Sequence, residues 1–376
     1  MRPVKYGRLL REPVAPSSAV AIEEALLAWF DAHRRDLPWR RTKDPYRILV
    51  SEFVLQRTRV ASGTPYYERF LRRFPDVASL ARAPLADVLR EWEGLGFYRR
   101  ARNLHAAAKA IVERHAGQIP SRAADLRELP GVGPYTAGAV ASIAFGERVP
   151  AVDGNAVRVI ARLHRIEQDV SHGPGRARVH ALAKDLVPVS RPGAFNQALM
   201  ELGATVCVPR APACDRCPLA DLCLARAAGI QASLPWAAAP RPVREVPVAF
   251  AYAESKGRVL LVHRPEGGLL GGLWSLPGGE LDSDDVRASL RGLVHAQTGG
   301  RTRIGGPVLS VDHTFSPRIW RGAIYACRFP PGRLARGARW MTPEDARSEP
   351  LVPFVRKAIA ALAARTTLES FDRRRR

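Results

Sequence analysis

The chain has 376 residues, of which 46% are hydrophobic and 25% charged, the balance of a folded globular protein and not of a disordered one. Its best apolar run, Ala137–Gly146, is ten residues long and includes Ser142, well short of the roughly 18 a membrane span needs. Met1–Arg8 lacks an apolar signal core, so a cytoplasmic protein without membrane contact is expected. Lys and Arg number 58 against 36 Asp and Glu, a net charge of +22; such a surface attracts polyanions, because a phosphate backbone releases its condensed counterions on binding.

In chain order, residues 1–18 form a basic arm with three prolines. Residues 19–230 read as helical almost throughout. Ile22, Leu26, Trp29 and Phe30 recur at helical spacing, as do Val77, Leu80, Leu85, Val88 and Leu89 more loosely. Pro84–Asp87 and Pro120–Ser121 are helix starts, with Ser121 as an N-cap. Gly94-Leu-Gly96 and Gly131-Val-Gly133 separate helices. Residues 231–245 are a proline-rich linker that resists helix. Strand-like alternation follows in Val246–Tyr252, Arg258–His263 and Ile319–Phe329, with helices at Asp284–Gln297 and Phe354–Ala364. Residues 246–365 are therefore α+β, and 366–376 a basic tail. The expected fold is multidomain, an all-α domain followed by an α+β domain.

Four of the five cysteines are clustered as Cys207-x6-Cys214-x2-Cys217-x5-Cys223. Clustering of this kind in a chain without a signal core means metal ligation and not disulfides. Four thiolates suit a zinc ion or a 4Fe–4S cluster, and spacing alone does not separate the two. Either way no coordination position stays open for catalysis. Pro209, Pro212 and Pro218 keep the loop out of regular helix. Cys327 stands alone in an apolar strand and reads as core.

Leu129–Ile143 carries Gly131 and Gly133, which allow backbone conformations closed to other residues, and Pro134 at a helix start whose amides can hold a phosphate. Twenty residues on, Asp153 ends an apolar run before Gly154. It is either an N-cap or a carboxylate that stabilises a cationic sugar. Glu52 is flanked by Ile48, Leu49, Val50, Phe53, Val54 and Leu55. It is either a solvated position on an amphipathic helix or a buried acid whose raised pKa suits general acid catalysis.

These motifs together resemble the MutY family of adenine DNA glycosylases, within the helix-hairpin-helix superfamily that carries an endonuclease III-type iron–sulfur loop. The resemblance spans about residues 19–365. It implies a 4Fe–4S cluster on Cys207, Cys214, Cys217 and Cys223, holding a basic loop with Arg210 and Arg216 against DNA. Bifunctional relatives carry a lysine two residues after the second hairpin glycine; Tyr135 stands there, which implies a monofunctional enzyme. Glu52 would protonate adenine N7, Asp153 would stabilise the oxocarbenium ion, and Tyr135 and Asn155 would support them. Gln56, Arg57 and Phe97 would contact DNA around the opposite base, with Arg57 where the family has Gln and Phe97 where it has Tyr. Gly131 and Gly133 would contact the backbone.

Residues 246–365 resemble the Nudix-like domain of the same family, best in Leu273–Gly279. The stretch Arg287–Gln297 has no carboxylate to bind Mg²⁺, so recognition and not hydrolysis is implied. Phe315 and Ser316 match the family's 8-oxoguanine-sensing loop, with Pro317 where a histidine belongs. The implied partner is double-stranded DNA with adenine mispaired with 8-oxoguanine or guanine, bound by a monomer associated with the nucleoid. A thymine or uracil glycosylase on the same scaffold, and a lesion-binding protein without turnover, are the alternatives.

Overall fold

The computed structural model describes residues 16–236, 243–266, 268–315, 318–330 and 332–362. The basic arm before residue 16, part of the linker, Ser316, Pro317 and the basic tail lie outside them. No helix among the described residues is long and apolar enough to cross a membrane.

The described residues fall into two compact units, 16–83 with 99–236 and 84–98 with 243–362. The first unit is all helix. It runs α1 (Pro16–His33), α2 (Pro45–Leu55), α3 (Val60–Arg73) and α4 (Val77–Arg82). After α5 (Leu85–Glu91), which belongs to the second unit, come α6 (Arg99–Arg114), α7 (Ala123–Leu126), α8 (Pro134–Phe145), α9 (Gly154–Leu163), α10 (Gly173–Leu186), α11 (Pro192–Thr205) and α12 (Leu224–Ala227).

Local signals start and stop these helices. Asp44 caps α2 by accepting from the Tyr46 and Arg47 amides, with Pro45 in the first turn. Every residue from Ile48 to Val54 is buried, which makes α2 an interior helix and not an amphipathic surface one. Gly146, at φ +73°, closes α8. Leu26, Phe30, Ile160, Phe195 and Leu199 join α1, α9 and α11 in one core. Ser121 is not the cap expected of it: α7 begins after Arg122, with no side-chain cap. The carboxylate of Glu147 instead accepts from Ala123 N at 2.6 Å, a partner 24 residues away that local pattern does not reveal.

In the second unit, β1 (Arg244–Tyr252) is parallel to β7 (Arg318–Arg328) and antiparallel to β5 (Gly278–Glu280), and β6 (Arg303–Phe315) completes the order β5-β1-β7-β6. A second sheet joins β2 (Glu254–Ser255), β3 (Arg258–His263), β4 (Trp274–Ser275) and β8 (Ala338–Met341). Helix α13 (Val286–Thr298) packs Leu290 and Val294 against Ala249 and Ala251 of β1, and Cys327 is partly buried against the same cluster. The unit continues with α14 (Pro343–Ser348) and helical residues 353–362.

Residues 84–98, which lie within the helical domain in sequence, make most of their contacts with this unit. Arg356 pairs with Glu93 at 2.6 Å and Arg90 donates to Ser348 O at 2.6 Å.

Candidate active site and metal centre

Glu52 lies on the buried stretch of α2 and is 7% exposed. Burial, with the negative charge of Asp153 adding to it, pushes its carboxyl up to about 7, against the opposing pull of the Tyr135 hydroxyl. Tyr135, in the first turn of α8, is held as the neutral phenol by burial and by both carboxylates. Its single proton has two acceptors, Met200 Sδ at 3.4 Å and the Glu52 carboxylate; the carboxylate is the stronger one when ionised.

Asp153 is the N-cap that the sequence allowed. It caps α9, accepting from Ala156 N at 2.7 Å, and it shares one electrostatic environment with Glu52. Burial raises its pKa, while its bonds to Ala156 and Asn155 and the charge of Arg158 pull the other way. Asn155 Nδ2 donates to Asp153 Oδ2 at 2.8 Å and Asn155 Oδ1 accepts from Arg158 Nη2 at 2.7 Å. Arg158 also donates to Gly203 O at 2.8 Å and Cys207 O at 2.7 Å. A polar chain thus runs from Asp153 to the first cysteine of the loop. Gly203 makes room for it: a Cβ there would lie 2.6 Å from that of Asn155.

Of the hairpin glycines, Gly131 needs its freedom, at φ +75° with the Asn103 side chain 2.4 Å from where a Cβ would be. Gly133 does not, contrary to expectation. Its φ is −86°, and nothing lies within 4 Å of the place a side-chain methyl would take. Both are exposed.

Gln56 Nε2 lies 3.4 Å from Thr136 Oγ1, and the exposed Arg57 holds φ +58°, a left-handed conformation costly for a side chain of its size. The turn is secured by Arg100, which donates from Nη1 to Phe53 O at 3.1 Å, Val54 O at 2.7 Å and Thr58 Oγ1 at 3.1 Å. A buried guanidinium thereby satisfies carbonyls that the end of α2 leaves open, and burial lowers its pKa to about 10. Phe97 belongs to the second unit, 46% exposed at φ +49°. Phe315 ends β6, with its side chain outside the described residues.

Cys207, Cys214, Cys217 and Cys223 line one cavity. Four thiols that line one cavity are the donor set that a 4Fe–4S cluster takes, and equally that of a zinc ion, so the donor set fits the cluster without singling it out. Burial, with neighbouring thiols adding, raises the Cys214 thiol and takes Cys217 to about 11, so metal loading must displace protons.

Arg162, 2% exposed, spans the base of the loop. It donates to Val208 O at 2.8 Å, Pro209 O at 3.0 Å and Leu234 O at 2.8 Å, and sits 3.3 Å from Cys207 Sγ. Sequence reasoning singled out none of Arg100, Arg158 and Arg162. The signal available was charge at positions otherwise apolar on a buried helix face.

Residues 50–189 match the HhH-GPD superfamily of base excision DNA repair proteins, residues 207–223 the iron–sulfur binding domain of endonuclease III, and residues 248–361 the NUDIX domain. The adenine DNA glycosylase of Rattus norvegicus is 36% identical over 410 residues, covering 92% of this chain and 80% of its own. That of Mycobacterium tuberculosis is 44% identical over 59% of this chain and 73% of its own. The solved structure of a thermostable thymine-DNA glycosylase is 31% identical, with a TM-score of 0.52, over 56% of this chain and 98% of its own.

Proposed function

The chain belongs to the adenine DNA glycosylase family, and on that footing we propose that it excises adenine mispaired with 8-oxoguanine or guanine, with Glu52 as general acid and Asp153 as the stabilising anion. One observation carries this reading: a carboxyl pushed up to about 7 by burial, electrostatically coupled to a second carboxyl that is held by two hydrogen-bond donors. Paired acids with separated roles are what acid-assisted glycosidic cleavage uses.

Glu52 gives its proton to adenine N7, and the electrons of the C1′–N9 bond leave with the base. Asp153 offsets the positive charge on the sugar ring. Water adds to C1′, and its proton returns to Glu52. Tyr135 offers no amine at its position, so no Schiff base forms and the product is an intact strand with an abasic site. A monomer suffices for this chemistry, at the nucleoid within the cytoplasm. The iron–sulfur cluster, when bound to the four cysteines, contributes a redox-capable centre that cross-links the loop. The similarity to a thymine-DNA glycosylase extends over 56% of this chain, and an acid placed for N7 has no counterpart on a pyrimidine.

The test is single-turnover base release from duplexes with adenine opposite 8-oxoguanine, guanine or cytosine. Release is expected from the first two, without strand cleavage. The rate should fall as pH rises above about 7, where Glu52 loses its proton. It should fall again at acid pH as Asp153, itself raised, becomes neutral. No adenine release from either mispair by cluster-loaded protein sinks the proposal. Pro317 lacks both a side-chain donor and a backbone N–H, so discrimination between 8-oxoguanine and guanine should be weak. Pro317→His should widen the ratio of the two rates.

A further inference from the structure

The cavity between the four cysteines has one wall whose chemistry they do not explain. After α12, Gly229 turns the chain at φ +69° and Ile230 N bonds Ala225 O at 2.9 Å, bringing Gln231 to the cavity wall. Its Oε1 is buried and accepts from no donor among the described residues. A buried acceptor left this way carries its desolvation cost with no hydrogen bond to offset it.

The two ends of a carboxamide have the same shape, and only their neighbours decide which is oxygen and which nitrogen. Here the cavity that Gln231 lines also carries the four cysteine sulfurs. Once they ligate iron they are thiolates, acceptors without a proton, and the sulfides of a cluster are acceptors too. An amide oxygen turned toward them is repelled, whereas an N–H makes a charge-assisted hydrogen bond. Rotating the amide by half a turn places the N–H in the cavity and leaves the oxygen at the other, less enclosed end.

The geometry points to Gln231 as a positioning residue of the metal centre, donating its side-chain N–H to a cluster sulfide or ligand thiolate. Such a donor draws electron density from sulfur, stabilises the more reduced cluster and anchors the loop. Arg162 does the same at Cys207 Sγ, 3.3 Å away. The inference depends on the iron–sulfur loop and not on the roles of Glu52 and Asp153.

Two measurements on cluster-loaded full-length protein test it. In wild-type protein carrying ¹⁵N at glutamine side chains, pulsed electron paramagnetic resonance of the oxidised, paramagnetic cluster should show a ¹⁵N coupling. Lack of any coupling overturns the proposal without requiring a variant to fold. Gln231→Leu removes the donor, and Gln231→Glu keeps the shape but substitutes an acceptor. The midpoint potential should move negative in the first and further in the second. A chelator should bleach the visible cluster absorbance severalfold faster in both. Wild-type potentials and bleaching rates in the two variants would show that the amide faces away from the cluster.

Discussion

Glu52 and Glu201 are two buried glutamates whose pH signatures run in opposite directions. Glu52 rises from 4.5 to about 7 because burial penalises its charge. Between those values the unfolded chain gives up a proton that the native one keeps, so Glu52's contribution to stability is complete below 4.5 and is lost as pH rises through 7. At pH 8 the loss is on the order of 3 kcal/mol. Glu52→Gln should therefore raise the melting temperature at pH 8, with the gain shrinking toward pH 4.5, while excision drops by roughly 10²–10⁴-fold. Thermal denaturation of both proteins at the two pH values checks the sign; a variant less stable at pH 8 contradicts it. Burial pushes Glu201 upward as well, but hydrogen bonds from Arg35 and Arg40, at 2.7 and 2.8 Å, outweigh it and hold its pKa near 2. Its contribution is present above 4.5 and lost as pH falls toward 2. Sequence shows the same thing for both, a glutamate among apolar helix neighbours. Glu52 was legible because burial among its apolar helix neighbours is the largest cause of its raised pKa. The partners of Glu201 lie about 160 residues away, where no local pattern reaches.

At the scale of elements, the packing of α9 on α11 decides whether the site holds its shape. Gly203 of α11 touches Asn155 so closely that a methyl group there would sit 2.6 Å from the Asn155 Cβ and 2.9 Å from its carbonyl oxygen. Gly203→Ala should push Asn155 off Asp153, lowering single-turnover excision by about 10–100-fold at a stability cost of about 1–3 kcal/mol. Quenched-flow base release alongside denaturation measures both, and unchanged excision would mean that Asn155 does not position Asp153. Strong helices such as α2 and α9 were legible because periodicity, caps and flanking prolines agree. Strands β4 and β5 were not: at two and three residues they are too short to show alternation. Strand β6 carries Gly305, Gly306 and Pro307, and its pairing with β7 shifts register there, a bulge that hides a strand from any period-2 reading. The grouping of 84–98 with the second unit is set by Arg356 and Glu93, a pairing 263 residues apart in sequence.

For the whole molecule, net charge and buried chemistry make separable demands. The charge of +22 is a property of composition; it acts on any phosphate backbone, mispaired or not, through release of counterions. Glu52, by contrast, is buried within α2, and the proton transfer proposed for it involves no exposed side-chain charge. Binding and chemistry should therefore respond differently to salt. The logarithm of the affinity for undamaged duplex should fall linearly with log salt concentration, a loss of about 10³–10⁵-fold between 50 and 200 mM if about 6–10 phosphates are contacted. The single-turnover excision rate at saturating enzyme should change by less than about twofold over that range, since buried electrostatics escape the roughly 8–10 Å screening length of the solution. Fluorescence anisotropy with plain duplex and base release with mispaired duplex, measured in the same buffers, separate the two. An excision rate that tracks salt as steeply as affinity would mean that the rate-limiting step is formation of the DNA contact and not protonation of the base by a buried acid.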